Sequence, residues 1–344
     1  MKRREMQAAR DAAPVAGVAR GAVMRRCRLS GRRERGIALI MVLWATALLT
    51  VIAASYAFET RTEALLSANL IDKAKAEAAA EAGVRRAIAG LLQNDDGGWK
   101  NDLSEKSLRF VDADVRIAVV SEHGRIDLNA APDALIRQVA ARALSGIAPQ
   151  ETVTADSIAD SILDWRDADK TRRPNGAEDS DYRLAGKAYG AADQAFVSVS
   201  ELSLVQGIPL EVYRELTKFF TVHTRASRVD PQAASRDVLL AIPGLNADAV
   251  ERYIEERESA NDGVSQRVPL DLLAAGAGYL SRTRPTIYAI LAEARVESGA
   301  VARSGVVVRL ARSRQSPYLV LARLAESDHA FDVFDETSPH ERVK

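Results

Sequence analysis

The sequence predicts an α+β fold in which a long N-terminal helix packs on an antiparallel sheet and a large α-helical domain is inserted between strands. Three observations support this prediction. An apolar stretch over residues 37–58 continues into an amphipathic helical pattern, and period-two alternation marks strands on either side of the middle of the chain. Between those strand signals, residues 130–280 carry short helical patterns with capping residues at their ends.

The apolar stretch is long enough to cross a membrane as one helix. It runs for about 22 residues without a formal charge, which matches a hydrocarbon core of about 30 Å. Arginines precede it, so the N-terminus is expected to be cytoplasmic and the body to lie outside. A cleaved secretory signal would end in a small-residue site. Here strong helix formers follow, and residues 37–92 are predicted to form one helix about 80 Å long.

Charge is distributed unevenly along the 344 residues. Residues 1–36 contain 11 Lys or Arg and 3 Asp or Glu, whereas the remainder contains 36 and 44. A negatively charged body argues against a nucleic-acid partner, because such affinity depends largely on Lys and Arg releasing counterions. The single cysteine, Cys27, lies in the basic leader, which excludes disulfide scaffolds and cysteine-based zinc sites from the body.

Strand signals occur in two separated regions of the body. Alternating apolar residues over 111–119, followed by the turn sequence SEHG and a short apolar stretch, predict a β-hairpin over 111–128 packed on the long helix. Three further strands are expected between Thr286 and Glu326. Residues 327–344 are interpreted as a polar tail.

The helical region between them contains a weak internal repeat. IDLNAAPDALI over 126–136 aligns with VDPQAASRDVL over 229–239, which indicates two related helical subdomains. LLAIPGLNADAVERYI resembles a helix-hairpin-helix, an element that presents backbone amides to DNA phosphates. Asn246 stands where DNA-binding examples usually have a second glycine, so we expect the motif to serve packing.

The densest group of oxygen ligands lies within residues 164–182, in the segment DWRDADKTRRPNGAEDSDY. A carboxylate-rich loop that folds back on itself suits a hard cation such as Ca²⁺, although its spacing is not that of an EF-hand. The alternative is a solvated acidic loop neutralised by neighbouring arginines. The carboxylates are Asp164, Asp167, Asp169, Glu178, Asp179 and Asp181.

No catalytic motif is recognisable. The four histidines are scattered, and neither an HExxH sequence, a Cys–His pair nor a GxSxG motif occurs. We therefore expect that the chain is not an enzyme.

The N-terminus resembles that of type IV pilins and pseudopilins. A basic leader ending in glycine is followed directly by an apolar helix that becomes amphipathic. The resemblance implies that prepilin peptidase cuts between Gly36 and Ile37 and that the new N-terminus is methylated. Most such proteins have Glu at the fifth mature position, where this chain has Met41. That glutamate is thought to face the positive N-terminus of a neighbouring subunit, so its absence points to a tip subunit.

The missing glutamate and the large body resemble the pseudopilin K family of type II secretion systems, over essentially the whole chain after residue 36. This resemblance implies a pilin-like α+β domain (59–128 and 281–326), an inserted helical domain (129–280), and the inner membrane as location, with the body periplasmic. It implies minor pseudopilins I and J and prepilin peptidase as partners, the secretin or exported proteins as further ones, and no nucleic acid. Family members bind calcium in the acidic segment. The ligands expected here are Asp167, Asp169, Glu178, Asp179 and Asp181.

The implied function is that of a minor pseudopilin at or near the pseudopilus tip, which initiates or caps the pseudopilus for export of folded proteins. Two alternatives remain. A minor pilin of a type IV pilus shares the N-terminal features, although the acidic segment and the helical insertion argue against it. A membrane-tethered DNA-uptake receptor would use the helix-hairpin-helix repeat and would show salt-dependent DNA binding.

Overall fold

A computed structural model of the chain describes residues 35–93, 106–110, 112–148, 153–261, 268–311, 313, 315–326 and 328–336. Residues 1–34 of the predicted leader and 337–344 of the predicted tail lie outside the described residues. The helices of the described chain are α1 Arg35–Gln93, α2 Asp133–Leu144, α3 Ala155–Arg166, α4 Asp179–Leu184, α5 Leu210–Thr217, α6 Arg236–Leu240, α7 Ala247–Asn261 and α8 Asp332–Glu336. Its strands are β1 Lys106–Phe110, β2 Ala113–Ser121, β3 Ile126–Asp127, β4 Phe220–Thr221, β5 Ile287–Val296, β6 Val301–Leu310 and β7 Tyr318–Leu324.

The chain divides between Ala64 and Leu65 into two units. In the first unit, α1 is an exposed helix whose residues 37–58 are apolar on all sides. Within the described residues, α1 is the one helix long and apolar enough to cross a membrane, by length and composition. This agrees with a single-pass membrane anchor.

The second unit contains the sheet and the later part of α1. A narrow stripe of small and aliphatic side chains on α1 is buried against the sheet. Gly83 lies inside this contact. A Cβ there would be 2.8 Å from Val115 Cγ1 and 3.3 Å from Ala292 Cβ, so the helix continues through a residue that permits close approach to the sheet. The stripe is Ala76, Ala80, Val84, Ala87 and Ile88.

The main sheet has five antiparallel strands in the order β1-β2-β5-β6-β7. The neighbouring strands β2 and β5 pair from Ala113 with Val296 to Ser121 with Tyr288. The chain therefore leaves the sheet after Ser121 and returns beside the same point, which allows a whole domain to be inserted without interrupting the strand pairing. The predicted α+β fold with a helical insertion between strands is confirmed, as are the three strands between Thr286 and Glu326.

The predicted hairpin over 111–128 is wrong. Strand β2 forms its hairpin with β1, which precedes it, while β3 leaves the sheet and pairs in parallel with β4. The cause is a tight turn at Glu122–Gly124 that is held by the inserted domain. The amide of Asp230 donates to the carbonyl of His123, and a Cβ on Gly124 would lie 2.1 Å from the carbonyl oxygen of Ala233.

The predicted polar tail over 327–344 is also wrong for its described part. Residues 328–336 form a 3-10 turn and α8, and they place two fully buried aromatic rings on the sheet face opposite α1. These rings, Phe331 and Phe334, lie beneath the guanidinium groups of Arg303 and Arg116 at 5.8 Å and 5.1 Å. Both arginines also donate to the buried carboxylate of Glu293, which fixes them above the rings.

The inserted domain has its own apolar core, built from α2, α3, α5, α6 and α7. Its helices begin where the sequence supplies caps. The α3 helix starts with a capping box, in which Thr154 and Ser157 each accept from the other's backbone amide at 3.0 Å. This core forms the wall on which the acidic segment folds.

Candidate functional site

The acidic segment folds back over the end of α3 and is anchored by aromatic packing. Trp165 is buried in the core, and its ring lies 5.7 Å from Tyr182 and 6.3 Å from Phe196. These contacts bring three separated parts of the chain together: the α3 end, helix α4 and the loop before Phe196. Their carboxylates therefore become neighbours.

Asp164 and Asp167 share one cation from the chain itself. The guanidinium of Arg173 donates to Asp164 Oδ1 at 2.8 Å and also to Asp167 Oδ2. Asp164 is completely buried. A Cβ on Gly176 would lie 2.0 Å from Asp164 Oδ2, so only glycine lets the backbone pass this carboxylate.

Four buried carboxylate oxygens near this ion pair have no hydrogen-bond partner among the described residues. They are both oxygens of Glu178, Oδ1 of Asp167 and Oδ1 of Asp193. Burial, followed by the charges of Asp164 and Asp193 and then those of Asp167 and Asp179, raises the pKa of Glu178 to about 7. Unsatisfied carboxylate oxygens in a crowded, buried group are the atoms that a hard cation coordinates.

Asp193 belongs to this group although sequence reasoning missed it. It follows the low-charge stretch AGKAYGAA, outside the acidic run, and adopts a left-handed backbone with φ of 49°. Lys170 Nζ lies 3.1 Å from Asp179 Oδ2 and 3.6 Å from Asp193 Oδ2 and thereby joins the two ends of the loop. The positive φ at a non-glycine residue is the one local sign of a constrained position, and it is visible only in the structure.

The remaining two predicted ligands are engaged locally. Asp169 is exposed and accepts from the amide of Thr171 at 2.7 Å. Asp181 accepts from the amide of Glu178 at 2.9 Å, at the start of α4. Within the described residues, no group of three or more His, Cys, Asp or Glu side chains is arranged to hold a metal ion. Arg173 and Lys170 form ion pairs with carboxylates of the segment.

The N-terminal residues singled out from the sequence lie in the first turns of α1. Ile37 and Met41 are both well exposed, at 59% and 63%, and no Asp or Glu occurs within residues 37–58. Gly36 is helical and directly precedes the apolar stretch. The first part of α1 thus offers an apolar surface without a carboxylate.

The two halves of the internal repeat make matching contacts. Asp127 Oδ1 accepts from the amide of Asn129, and Asp230 Oδ1 accepts from the amide of Gln232, each at 3.0 Å. An arginine then binds two carbonyls of each segment. Arg166 donates to Leu128 and Ala131, and Arg257 donates to Pro231 and Ala234, which are the aligned positions.

The helix-hairpin-helix motif uses its polar groups for this internal structure. Arg257 is engaged with the carbonyls of the repeat, and Asn246 Oδ1 accepts from the amide of Ala249 at the start of α7. Gly244 has a φ of 87° and lies against the carbonyl of Ala275, which a Cβ would approach to 2.8 Å. The motif packs against the turn that contains Ala275.

Comparison with known proteins shows similarity to one component of type II secretion systems. The family model described as "Type II secretion system (T2SS), protein K" matches residues 124–225, which cover the start of the insertion and the acidic segment. Type II secretion system protein K of Pseudomonas aeruginosa is 26% identical over 318 residues, covering 85% of this chain and 93% of that protein. Over most of its length, the chain is therefore similar to protein K of type II secretion systems.

Two further similarities agree with this likeness. Type II secretion system protein K of Klebsiella pneumoniae is 28% identical over 54% of this chain and 62% of that protein. A solved structure, the GspK-GspI-GspJ complex of enterotoxigenic Escherichia coli, contains a chain that this protein matches with a TM-score of 0.52, covering 77% and 98% of the two chains. At 15% identity that match supports the fold, which is pilin-like. A model described as PilX N-terminal matches residues 35–85.

Proposed function

We propose that this chain is a minor pseudopilin that assembles, without turning over a substrate, at or near the tip of the type II secretion pseudopilus. The observation that carries the proposal is helix α1, which is exposed and free of charged residues over 37–58 and packs on the sheet from Ala76 onward. An exposed apolar helix is suited to association with other helices in a membrane.

A place at the tip accounts for Met41. A carboxylate among apolar helices needs a positive partner, and a subunit with no neighbour above it has none to pair with. An apolar residue at this position removes that cost. The carboxylate of the subunit below could still pair with the positively charged N-terminus that processing creates at Ile37.

Minor pseudopilins I and J are the proposed partners. Support comes from the solved chain of similar fold, which is part of a complex of that composition. The arginines of residues 1–36 support a cytoplasmic N-terminus, an inner-membrane anchor and a periplasmic body.

Cysteine cross-linking in membranes tests the position of the chain in the assembly. An Ile37→Cys variant should cross-link to a cysteine placed at the fifth mature residue of J or I. A Met41→Cys variant should not cross-link to a cysteine at the first mature residue of either partner. Cross-linking of position 41 to such an N-terminal cysteine would refute the tip position, because it requires a subunit above.

Processing at Gly36 is tested separately. A Gly36→Ala variant should accumulate as a larger precursor, whereas Gly31→Ala, which changes another leader glycine, should be cut normally. The readout is N-terminal sequencing of protein recovered from membranes. The wild type and the Gly31→Ala variant should begin at Ile37. Normal cleavage of the Gly36 variant would remove the pseudopilin interpretation of the N-terminus.

The proposal includes a structural Ca²⁺ ion in the acidic segment. Asp167, Glu178 and Asp193 would hold it through the oxygens that have no other partner, with Asp164 and Asp179 beside them. A bound cation would supply the positive charge that these carboxylates lack and join α3, α4 and the loop before Phe196.

Calorimetric titration of the detergent-solubilised full chain with CaCl₂ tests this ion. Asp193→Asn should weaken binding by at least about tenfold, on the order of 1.4 kcal/mol. Asp169→Asn, which changes an exposed aspartate of the same loop, should leave binding unchanged. Equal binding by both variants would refute the assigned ligands.

A minor pilin of a type IV pilus is the second candidate, because residues 35–85 match the PilX N-terminal model. This segment covers only the helix that both classes share. Co-purification from cells that express both sets of partners distinguishes them, since recovery of type IV minor pilins in place of I and J would favour this alternative.

A further inference from the structure

A groove lies between the inserted domain and the outer face of the sheet, with a cavity volume of about 570 Å³. On the sheet side it is lined by residues 321–325, at the end of strand β7. On the other side it is lined by Tyr213 and Thr217 of α5 and by the start of the 3-10 turn Val199–Ser203. Ala289 and Val307 give it an apolar floor. We refer to it as the β7 groove.

The β7 groove runs along an open sheet edge. Strand β7 is the last strand in the sheet order, and among the described strands it pairs only with β6. Side chains alternate between the two faces of a strand, so a groove that contacts five consecutive residues also reaches the backbone edge. The unpaired amides and carbonyls of such an edge are a template for another extended chain.

The walls of the β7 groove carry unpaired positive charge. Arg125, Arg214 and Arg323 all line it, and none of their guanidinium groups forms an ion pair or hydrogen bond with a described residue. The lining also contains two carboxylates, so the three arginines exceed the acidic groups by one charge. Each carboxylate accepts a hydrogen bond within the chain. Glu122 accepts from the Thr221 hydroxyl, and Asp328 accepts from the amide of Ala330 at 2.9 Å.

This pattern defines the chemistry of an occupant. The body of the chain after residue 36 carries 36 basic and 44 acidic residues, so three free arginines around one groove are a local exception. Guanidinium groups bind carboxylates through paired hydrogen bonds, and an extended strand presents every second side chain to the same side. Alternating acidic and apolar residues would meet the arginines and the apolar floor.

We propose that the β7 groove binds an extended acidic segment of a partner protein, which adds as a strand to β7 and places its carboxylates on Arg125, Arg214 and Arg323. The binding requires neither the calcium ion nor assembly through α1, because the groove is formed entirely by residues 122–330.

A short peptide of alternating sequence serves as the probe. Fluorescein-labelled Val-Asp-Val-Asp-Val-Asp-Val, capped at both ends, is titrated with the detergent-solubilised full chain and followed by fluorescence anisotropy. We expect saturable binding that weakens as salt rises, since the arginines are partly exposed. The peptide with Asn in place of Asp should bind at least about tenfold more weakly.

Protein variants test the contacts. Arg323→Glu and Arg214→Glu should each weaken binding by at least about tenfold through loss of attraction and added repulsion. Arg295→Glu is the matched control, because Arg295 is an exposed arginine of β5 that does not line the groove, and it should bind like the wild type. Circular dichroism confirms that each variant is folded.

Backbone pairing is tested on the peptide, so that the protein is unchanged. Alternate amides of an extended peptide point to opposite edges, so N-methylation of every second amide blocks hydrogen bonding at one edge only. Two such peptides exist, one for each edge. The peptide methylated on the edge that faces β7 should lose binding, and the other should retain it. Equal binding by both would overturn strand addition. Binding unaffected by Arg323→Glu and Arg214→Glu, complete competition by inorganic phosphate, or occupation of the groove by a second copy of this chain would also overturn the proposal.

Discussion

Replacing Glu178 by Gln should change stability in opposite directions with and without calcium. Glu178 is 5% exposed, and neither of its carboxylate oxygens has a hydrogen-bond partner in the part of the chain that the structure describes. Removing its charge should therefore stabilise the calcium-free fold. In the presence of calcium, the same change removes a proposed ligand and should reduce the stabilisation that the ion provides.

The magnitude follows from the pKa of Glu178. Burial, with neighbouring carboxylates, raises this pKa from 4.5 to about 7. At about 1.4 kcal/mol for each pKa unit, the ionised form costs the calcium-free fold about 3 kcal/mol above pH 7. The folded state holds the proton more tightly, so the stability of the calcium-free protein falls as the pH rises from about 4.5 to about 7.

Thermal unfolding of the detergent-solubilised full chain measures this effect. In EDTA at pH 8, Glu178→Gln should raise the midpoint by on the order of 5 °C, and the fall in stability between pH 5 and pH 8 should be reduced. In excess CaCl₂, the wild type should gain about 3 kcal/mol at a concentration near a hundred times Kd, while the variant gains less.

Two results would refute the reasoning. If EDTA and CaCl₂ give the wild type the same midpoint, the acidic segment holds no structural calcium. If Glu178→Gln lowers the midpoint in EDTA, the carboxylate is not an uncompensated charge in the calcium-free fold. Asp169→Asn is the control, because that exposed carboxylate accepts a local hydrogen bond and should leave both midpoints unchanged.

Three further predictions concern the fold that carries the site. Gly83→Ala should destabilise the chain by about 1–3 kcal/mol through overpacking against the sheet, whereas Gly146→Ala, with open space around it, should not. Glu293→Ala should cost about 3 kcal/mol by leaving two partly buried arginines without their carboxylate. Although burial raises the pKa of Glu293, the hydrogen bonds from the two arginines outweigh it and lower this pKa. The stabilisation is therefore present above the ordinary pKa of 4.5 and is lost as the pH falls. Arg166→Ala and Arg257→Ala should each cost about 2–3 kcal/mol, since each removes two hydrogen bonds to backbone carbonyls.

Urea unfolding at pH 7 checks these predictions. Equal stability of the two glycine variants would show that α1 does not approach the sheet as closely as described. A Glu293→Ala loss that persists unchanged at pH 3 would contradict the titration argument. For the repeat, Arg252→Ala is the control, because this exposed arginine donates to the carbonyl of Asp248 in its own helix. A cost at one repeat arginine but not the other would contradict their equivalence.

The sequence predicted those parts of the fold that depend on local patterns. Helix α1 and strands β5 to β7 were predictable because their apolar residues recur with the period of one element, whatever they pack against. The repeat at Asp127 and Asp230 was detectable because both copies retain the same short pattern. The chemistry expected for the acidic run likewise depended on residue type alone.

The predictions that failed depended on contacts between distant residues. The hairpin over 111–128 was wrong because the turn at Glu122–Gly124 is held by residues 230–233, about a hundred positions away. The prediction of a polar tail was wrong because Phe331 and Phe334 are buried beneath arginines of strands β6 and β2. Neither partner could be identified from the local sequence.

The same division applies to the candidate site. The sequence by itself determined that residues 164–182 carry enough carboxylates for a cation, and that residues 37–58 form an apolar helix with methionine at position 41. Only the tertiary structure decided which oxygens remain without partners. Packing of Trp165 on Tyr182 and Phe196 brings Asp193 to Glu178, whereas local hydrogen bonds hold Asp169 and Asp181 elsewhere. The physical reason is that residue type sets the charge of a side chain, but burial and its neighbours decide whether that charge is satisfied.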